Sequence, residues 1–286
     1  MHRYINCIEH NSSEGQLVIG EKQTALFDCG MAFCADETIN NVQNALAGRK
    51  LDYIFMTHTH YDHIGALPFF KNVWPNVQVV TCEAGAAVLL KDTPRKVIRE
   101  LSLNAARING VTRDLSYNDE TFKADVIVKD GDKIPLGDIT VEVLETPGHT
   151  RDSLCYFIPE MQLLLLNETP GVLMPDGMMY PCYLTSFNDT IKSIEKCRSI
   201  PYKYLSLPHR GIADEKDTDK YFEKALCANV NCRDFILDMK NKNHSEEKML
   251  DLFRIEYYNE TLISFQPIEA FLANARATIA CTLKEL

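Results

Sequence analysis

The sequence predicts an α+β protein in which stacked β-sheets are flanked by helices, with a helical C-terminal extension. Short strands and amphipathic helices mix through the first part of the chain without strict strand–helix alternation, a pattern of stacked sheets carrying helices. From residue 124 strands dominate. Beyond Gly211 the apolar residues recur at helical spacing. The expected division is therefore 1–211, holding both sheets, and 212–286, a helical extension packed on it.

The elements follow in order. Residues 16–19 and 24–27 form two apolar strands around a turn at 20–23, and the second ends in Asp28-Cys29-Gly30, an acid and a glycine at a strand end. Residues 36–48 suit a helix stopped by Gly48. The run Leu51-Asp52-Tyr53-Ile54-Phe55-Met56 reads as a buried strand, and Gly65-Ala66-Leu67-Pro68-Phe69-Phe70 as the start of a helix. A strand at 77–81 leads to a helix at 83–91, and Pro94 opens another in which Val97, Leu101, Ala105 and Ile108 recur before Gly110. Strands follow at 124–128, 139–144, 154–158 and 161–166, the last two as a hairpin over Pro159-Glu160. Residues 169–185 interrupt the pattern with proline, glycine and methionine, a composition suited to an apolar loop, where Tyr180 and Tyr183 are candidates to touch a substrate. A helix at 187–198 and a strand at 202–207 come next. Tyr221, Phe222, Ala225, Ile236 and Met239, then Met249, Leu250 and Phe253, then Phe271, Ala275 and Ile279 are packing faces of the C-terminal helices, or a homodimer contact.

A 45% hydrophobic share leaves ample material for a core, and a formal net charge of −10 weighs against nucleic acid or an anionic membrane as the main partner. No stretch approaches the length of a membrane span, and the first residues carry no apolar run, so the expected location is cytoplasmic. Ten cysteines are scattered without a Cys-x-x-Cys pair and are expected to be reduced and buried. Cys29 and Cys34 are the ones expected nearest the cluster described next.

Between strand and helix lies Thr57-His58-Thr59-His60-Tyr61-Asp62-His63. In an extended backbone alternate residues share a face, so His58, His60 and Asp62 point one way, while Tyr61 points towards the core. His63 swings round as the chain turns into the helix. Imidazoles with a carboxylate suit zinc or iron, and the pairs His58/His60 and Asp62/His63 suggest two neighbouring ions. Further chemistry-bearing residues also follow strands: His149, Glu168 and His209; His2, His10 and His244 do not. Asp28 is placed to orient a ligand histidine.

The run resembles the His-x-His-x-Asp-His signature of the metallo-β-lactamase superfamily. Thr146-Pro147-Gly148-His149-Thr150 resembles its Thr-Pro-Gly-His-Thr loop, Pro208-His209 its last ligand histidine, and Asp28-Cys29-Gly30 its early Asp-x-Gly turn. The resemblance covers about residues 15–211 in the right order. It implies a four-layer αββα sandwich with a dinuclear metal site at one edge of the sheets. Carried over, it assigns His58, His60 and His149 to one metal, Asp62, His63 and His209 to the other, and Glu168 as the bridge. Here the family's Gly-Asp is Asn167-Glu168, one methylene longer.

Two divalent ions sharing a water lower its pKa towards ~7, and the hydroxide attacks an electrophilic centre while Asp62 takes or passes a proton. Zinc is the default cofactor, with iron or manganese as alternatives. The expected reaction is hydrolysis of a small-molecule thioester, ester or lactone, by analogy with glyoxalase-II-like and thioesterase members. The alternatives are a nuclease or phosphodiesterase with the same site, an oxygen-reducing di-iron protein of flavodiiron type, or a partner-binding protein with structural metals. The flavodiiron subgroup usually carries glutamate where this chain has His60, and no flavin-binding half is seen.

Overall fold

In the computed structural model, residues 3–7 and 15–285 are described; His2 and His10 lie outside them. The first sheet has the order β1 (Tyr4–Asn6), β2 (Gln16–Ile19), β3 (Thr24–Phe27), β4 (Tyr53–Phe55), β5 (Gln78–Cys82) and β6 (Val126–Val128). The first pairings are antiparallel and those from β3 to β6 parallel. The parallel crossovers are made by α1 (Ala35–Leu46), by the short α2 (Tyr61–Ile64) with α3 (Leu67–Val73), and by α4 (Glu83–Leu89) with α5 (Asp92–Ile108). A second six-stranded sheet has the order β14-β13-β10-β9-β8-β7. Its strands are β7 (Lys133–Pro135), β8 (Thr140–Glu145), β9 (Leu154–Ile158), β10 (Leu163–Leu165), β13 (Tyr204–Leu207) and β14 (Gly211–Ile212). A small hairpin joins β11 (Val172–Leu173) to β12 (Met179–Tyr180). Helix α6 (Phe187–Arg198) precedes β13, and α7 (Glu215–Asn241), α8 (Glu246–Tyr257), α9 (Glu260–Phe265) and α10 (Ile268–Lys284) close the chain.

The chain divides into two compact units, residues 1–145 with 156–163, and residues 146–155 with 164–286. In the first, Leu17, Leu26 and Ile54 of the sheet pack with Val42 and Leu46 of α1 and Leu67 and Phe70 of α3. On the sheet's other face Phe27 and Phe55 stack at 5.1 Å, and Tyr156 sits against both while its hydroxyl donates to the Met56 carbonyl. That bond ties down the residue just before the histidine run.

In the second unit, Val172, Met174, Tyr180 and Tyr183 of the hairpin region bury themselves with Ile236 of α7, Phe253 of α8 and Phe271 of α10. The methionine-rich stretch is thus part of a core. Tyr183 is fully buried with its hydroxyl on Thr282 at 2.9 Å, and Tyr180 packs against Tyr257 and Phe271. Both side chains are buried in this core. The apolar density that suggests a substrate wall is consumed by the C-terminal helices.

Two expectations are corrected. Helix α5 buries Ile98, Ser102, Ala105 and Ala106 and leaves Val97, Leu101 and Ile108 exposed. The reason is close packing: a Cβ on Gly65 would meet Ser102 Oγ at 3.1 Å, so the face towards α2 must carry small residues. The histidine run is extended only as far as His60 (φ −74°, ψ 150°); Tyr61 already opens α2, so Asp62 projects from a helical turn rather than a strand.

Candidate metal centre

In the first unit the site is built around Asp28. It is fully buried and adopts a left-handed φ of 57°, which turns the chain sharply after β3. The turn lets the Cys29 and Gly30 N–H groups both donate to the His63 carbonyl, at 2.8 and 2.9 Å. The Asp28 carboxylate accepts from the Thr57 N–H at 2.7 Å, the Thr57 hydroxyl at 2.6 Å and His63 Nδ1 at 2.8 Å.

These contacts fix proton positions. A carboxylate only accepts, so His63 carries its proton on Nδ1 and presents Nε2 as a lone pair. The single Thr57 hydroxyl proton goes to Asp28. Thr57 Oγ1 must then accept from His58 Nδ1 at 3.0 Å, which leaves His58 Nε2 as its lone pair too. One buried acid therefore sets two imidazoles. The rings lie close together, His58 to His60 at 4.5 Å and His58 to His63 at 4.1 Å between centroids, with Asp62 Oδ2 3.7 Å from His63 Nε2.

In the second unit the turn at Gly148 has φ +144°, and a Cβ there would meet Thr190 Oγ1 at 2.1 Å. Only glycine fits. The Gly148 carbonyl accepts from the Leu184 and Thr185 N–H groups at 3.1 and 2.9 Å. His149 Nδ1–H donates to the Cys182 carbonyl at 2.7 Å, which turns Nε2 towards Glu168. It lies 2.7 Å from Glu168 Oε2, while Glu168 Oε1 lies 2.7 Å from His209 Nε2. His209 sits in a left-handed turn, φ 61°, at the end of β13. Asn167 fastens the two turns: its Nδ2 donates to Thr146 Oγ1 at 2.7 Å and its Oδ1 accepts from the Thr169 N–H at 2.7 Å.

Burial opposes charge on His149, but Cys182 and Glu168 outweigh it and hold its pKa well above the ordinary 6.5. Burial likewise opposes charge on Glu168, and His149 and His209 outweigh it and hold the carboxyl well below its ordinary range.

The donor chemistry fits a divalent metal. His58, His63 and His149 each present Nε2 with the other ring nitrogen committed to an oxygen acceptor, the arrangement metal-ligating histidines show. Glu168 offers one carboxylate oxygen towards each of two imidazoles, as a bridging ligand must. All ten cysteines are free, and nine are buried. Cys29 enters the site only through its backbone N–H, and burial pushes its thiol well up. Sequence reasoning missed Thr57, Asn167 and Cys182. Thr57 adjoins the histidine run, but its role depends on Asp28, and the Cys182 contribution is a backbone carbonyl, which no residue type announces.

Residues 17–209 match the family model of the metallo-β-lactamase superfamily. The chain belongs to this superfamily. Its fold is the αββα sandwich expected from sequence, followed by a helical C-terminal region. A metallo-β-lactamase fold-containing protein, ST1585, of Sulfurisphaera tokodaii is 23% identical over 224 residues, 73% of this chain and 77% of that protein. Its crystal structure superposes with a TM-score of 0.59 and 21% identity, covering 77% of this chain and 82% of that one. A hydroxyacylglutathione hydrolase of Bartonella henselae is 29% identical over 132 residues, 46% of this chain and 39% of that protein. A nitric oxide reductase of Moorella thermoacetica is 28% identical over 227 residues, 72% of this chain and 50% of that protein. The protein is a superfamily hydrolase with candidate metal-binding residues His58, His60, Asp62, His63, His149, Glu168 and His209. No helix among the described residues is long and apolar enough to cross a membrane.

Proposed function

We propose that the protein hydrolyses a small-molecule thioester, ester or lactone with two divalent metal ions. In this reading His58, His60 and His149 hold one ion, Asp62, His63 and His209 hold the other, and Glu168 is shared. The observation that carries it is Glu168 bracketed by two imidazole nitrogens, each at 2.7 Å. When bound, a pair of ions supplies an activated water and polarises the scissile carbonyl. The protein's own part is to hold the imidazole tautomers through Asp28, Thr57 and the Cys182 carbonyl, and to keep a carboxylate available for the proton. Asp62 serves that last role, since its side chain is 19% exposed while its neighbour His63 is buried. The hydroxyacylglutathione hydrolase relative supports a thioester within this class. Zinc is the metal proposed, because histidine dominates the donor set.

The test is to strip the protein, reload it with zinc, iron or manganese, and assay thioesters, lactones, β-lactams and phosphodiesters. Thioester or lactone turnover that is lost in His60→Ala supports the reading. Turnover of phosphodiesters alone overturns the substrate class. A second reading, reduction of nitric oxide or oxygen at a di-iron centre, is favoured by the nitric oxide reductase match. His60, where flavodiiron proteins usually carry glutamate, weighs against it. Iron-loaded protein that consumes nitric oxide with a chemical reductant and hydrolyses none of the panel would establish it.

A further inference from the structure

We propose that Cys182 is a positioning residue of the metal centre, holding His149 through its carbonyl and Glu168 through its thiol. The inference rests on the reading of His149 and Glu168 as metal ligands. The backbone contact is the stronger: the Cys182 carbonyl takes the His149 Nδ1 proton at 2.7 Å and points Nε2 towards Glu168. The thiol lies 4.0 Å from Glu168 Oε2, the same oxygen that faces His149 Nε2. Sulfur's larger radius brings that distance to the outer limit of an S–H···O contact, with the thiol as a weak donor.

The segment is held in place by bonds on each side of Cys182. The Tyr183 hydroxyl is bonded to Thr282 of α10, and Leu184 and Thr185 donate to the Gly148 carbonyl. Asn229 and Tyr221 of α7 donate to the Pro170 and Gly171 carbonyls, where the loop leaves Glu168. Cys182 is itself 4% exposed. It cannot shift without dragging the turn that carries His149.

The thiol also answers a departure in this chain. Glutamate, standing where the superfamily resemblance expects aspartate, has one more rotatable bond. A donor beside Oε2 removes part of that freedom. Cys182 and Glu168 are then a matched pair: the longer acid needs a neighbour the shorter one does not.

Three variants test this. Cys182→Ser puts the donor on a shorter bond that falls short of Glu168 Oε2, Cys182→Ala deletes it, and Cys182→Val deletes it while preserving bulk. Zinc affinity is read by competition with a chromogenic chelator, and the His149 Nδ1–H by 15N NMR on zinc-bound protein. The alanine and valine variants should bind zinc about tenfold more weakly. The serine variant should weaken with them, and all three should keep the His149 Nδ1–H, because the carbonyl remains. If whichever of these variants folds binds as tightly as wild type, the thiol has no positioning role. A variant whose tautomer changes would overturn the carbonyl part. Wild-type protein that binds no zinc would instead overturn the metal-centre reading beneath it.

Discussion

Replacing Asp28 by asparagine changes one atom and almost no volume, yet it should disable two ligands. Asparagine Oδ1 can still accept the Thr57 N–H, which Asp28 Oδ1 takes at 2.7 Å. Its amide nitrogen then stands where Asp28 Oδ2 accepted from Thr57 Oγ1 and His63 Nδ1, at 2.6 and 2.8 Å. An amide nitrogen donates only. His63 must therefore accept at Nδ1 and carry its proton on Nε2. The Thr57 hydroxyl, now receiving a proton, turns its own towards His58 Nδ1 at 3.0 Å, and His58 inverts as well. Metal binding would have to restore both tautomers against a donor-to-donor clash. Loss of such a supporting acceptor costs roughly 10–100-fold in metal affinity, or about 1.4–2.8 kcal/mol at tenfold per 1.4 kcal/mol. Asp28→Ala is a harsher control, since it strands three buried donors at about 1–3 kcal/mol each. The assay is metal competition with a chelator, with imidazole tautomers read by 15N NMR. An Asp28→Asn protein that folds, keeps both Nδ1 protons and binds two ions with wild-type affinity would refute the proton assignment.

Gly148→Ala should cost about 3 kcal/mol or more in urea unfolding, because the new Cβ meets Thr190 Oγ1 at 2.1 Å and φ is +144°. Asn167→Ala leaves Thr146 Oγ1 and the Thr169 N–H, both 2.7 Å from Asn167, without that partner. It should destabilise by about 2–4 kcal/mol and weaken metal binding through Glu168, which urea titration and chelator competition would separate. The pH dependence follows from two opposed shifts. His149 is raised above 6.5, so its contribution is full below that value and is lost as pH rises through its folded pKa. Glu168 is lowered below 4.5, so its contribution is full above that value and is lost as pH falls through its folded pKa. Metal-free protein should therefore gain most from this pair between 4.5 and 6.5, while zinc-induced stabilisation should grow above that window as His149 gives up its proton. Thermal melts with and without zinc across pH would show it, and a zinc effect independent of pH would contradict it.

Most strands and the candidate ligand residues were legible because both obey short-range rules. Leu51–Met56 is an apolar run, and the histidine and aspartate spacing that follows it is unusual for any other purpose. What escaped was set by contacts far along the chain. Of the α5 residues that recur at helical spacing only Ala105 is buried, because the neighbouring α2 turn, where a Cβ on Gly65 would meet Ser102, asks for small residues. Tyr180 and Tyr183 looked available in a proline- and glycine-rich loop, but α7, α8 and α10 consume that surface. The two-residue strands β11, β12 and β14 are too short for periodicity to register. Asp28 was placed as an orienting residue, but the relay through Thr57 needs a hydroxyl proton to be counted, and that requires distances.

The two ligand sets are backed differently, and this bears on which ion each prefers. On the proposed assignment the first set has three imidazoles, and its His149 rests on a backbone carbonyl. The second contains the Asp62 carboxylate, and its His63 rests directly on the buried Asp28 carboxylate. A carboxylate behind an imidazole raises its basicity more than a neutral carbonyl does, and a carboxylate ligand is harder than an imidazole. The second set therefore carries more negative charge and should fill first, and it should accept manganese or iron more readily than the nitrogen-rich first set. Stepwise titration of metal-free protein, with Asp62→Asn removing the early step and His149→Ala the late one, would display that order. Equal loss of both steps in either variant would mean that the ions bind as a unit and the difference in backing has no thermodynamic expression.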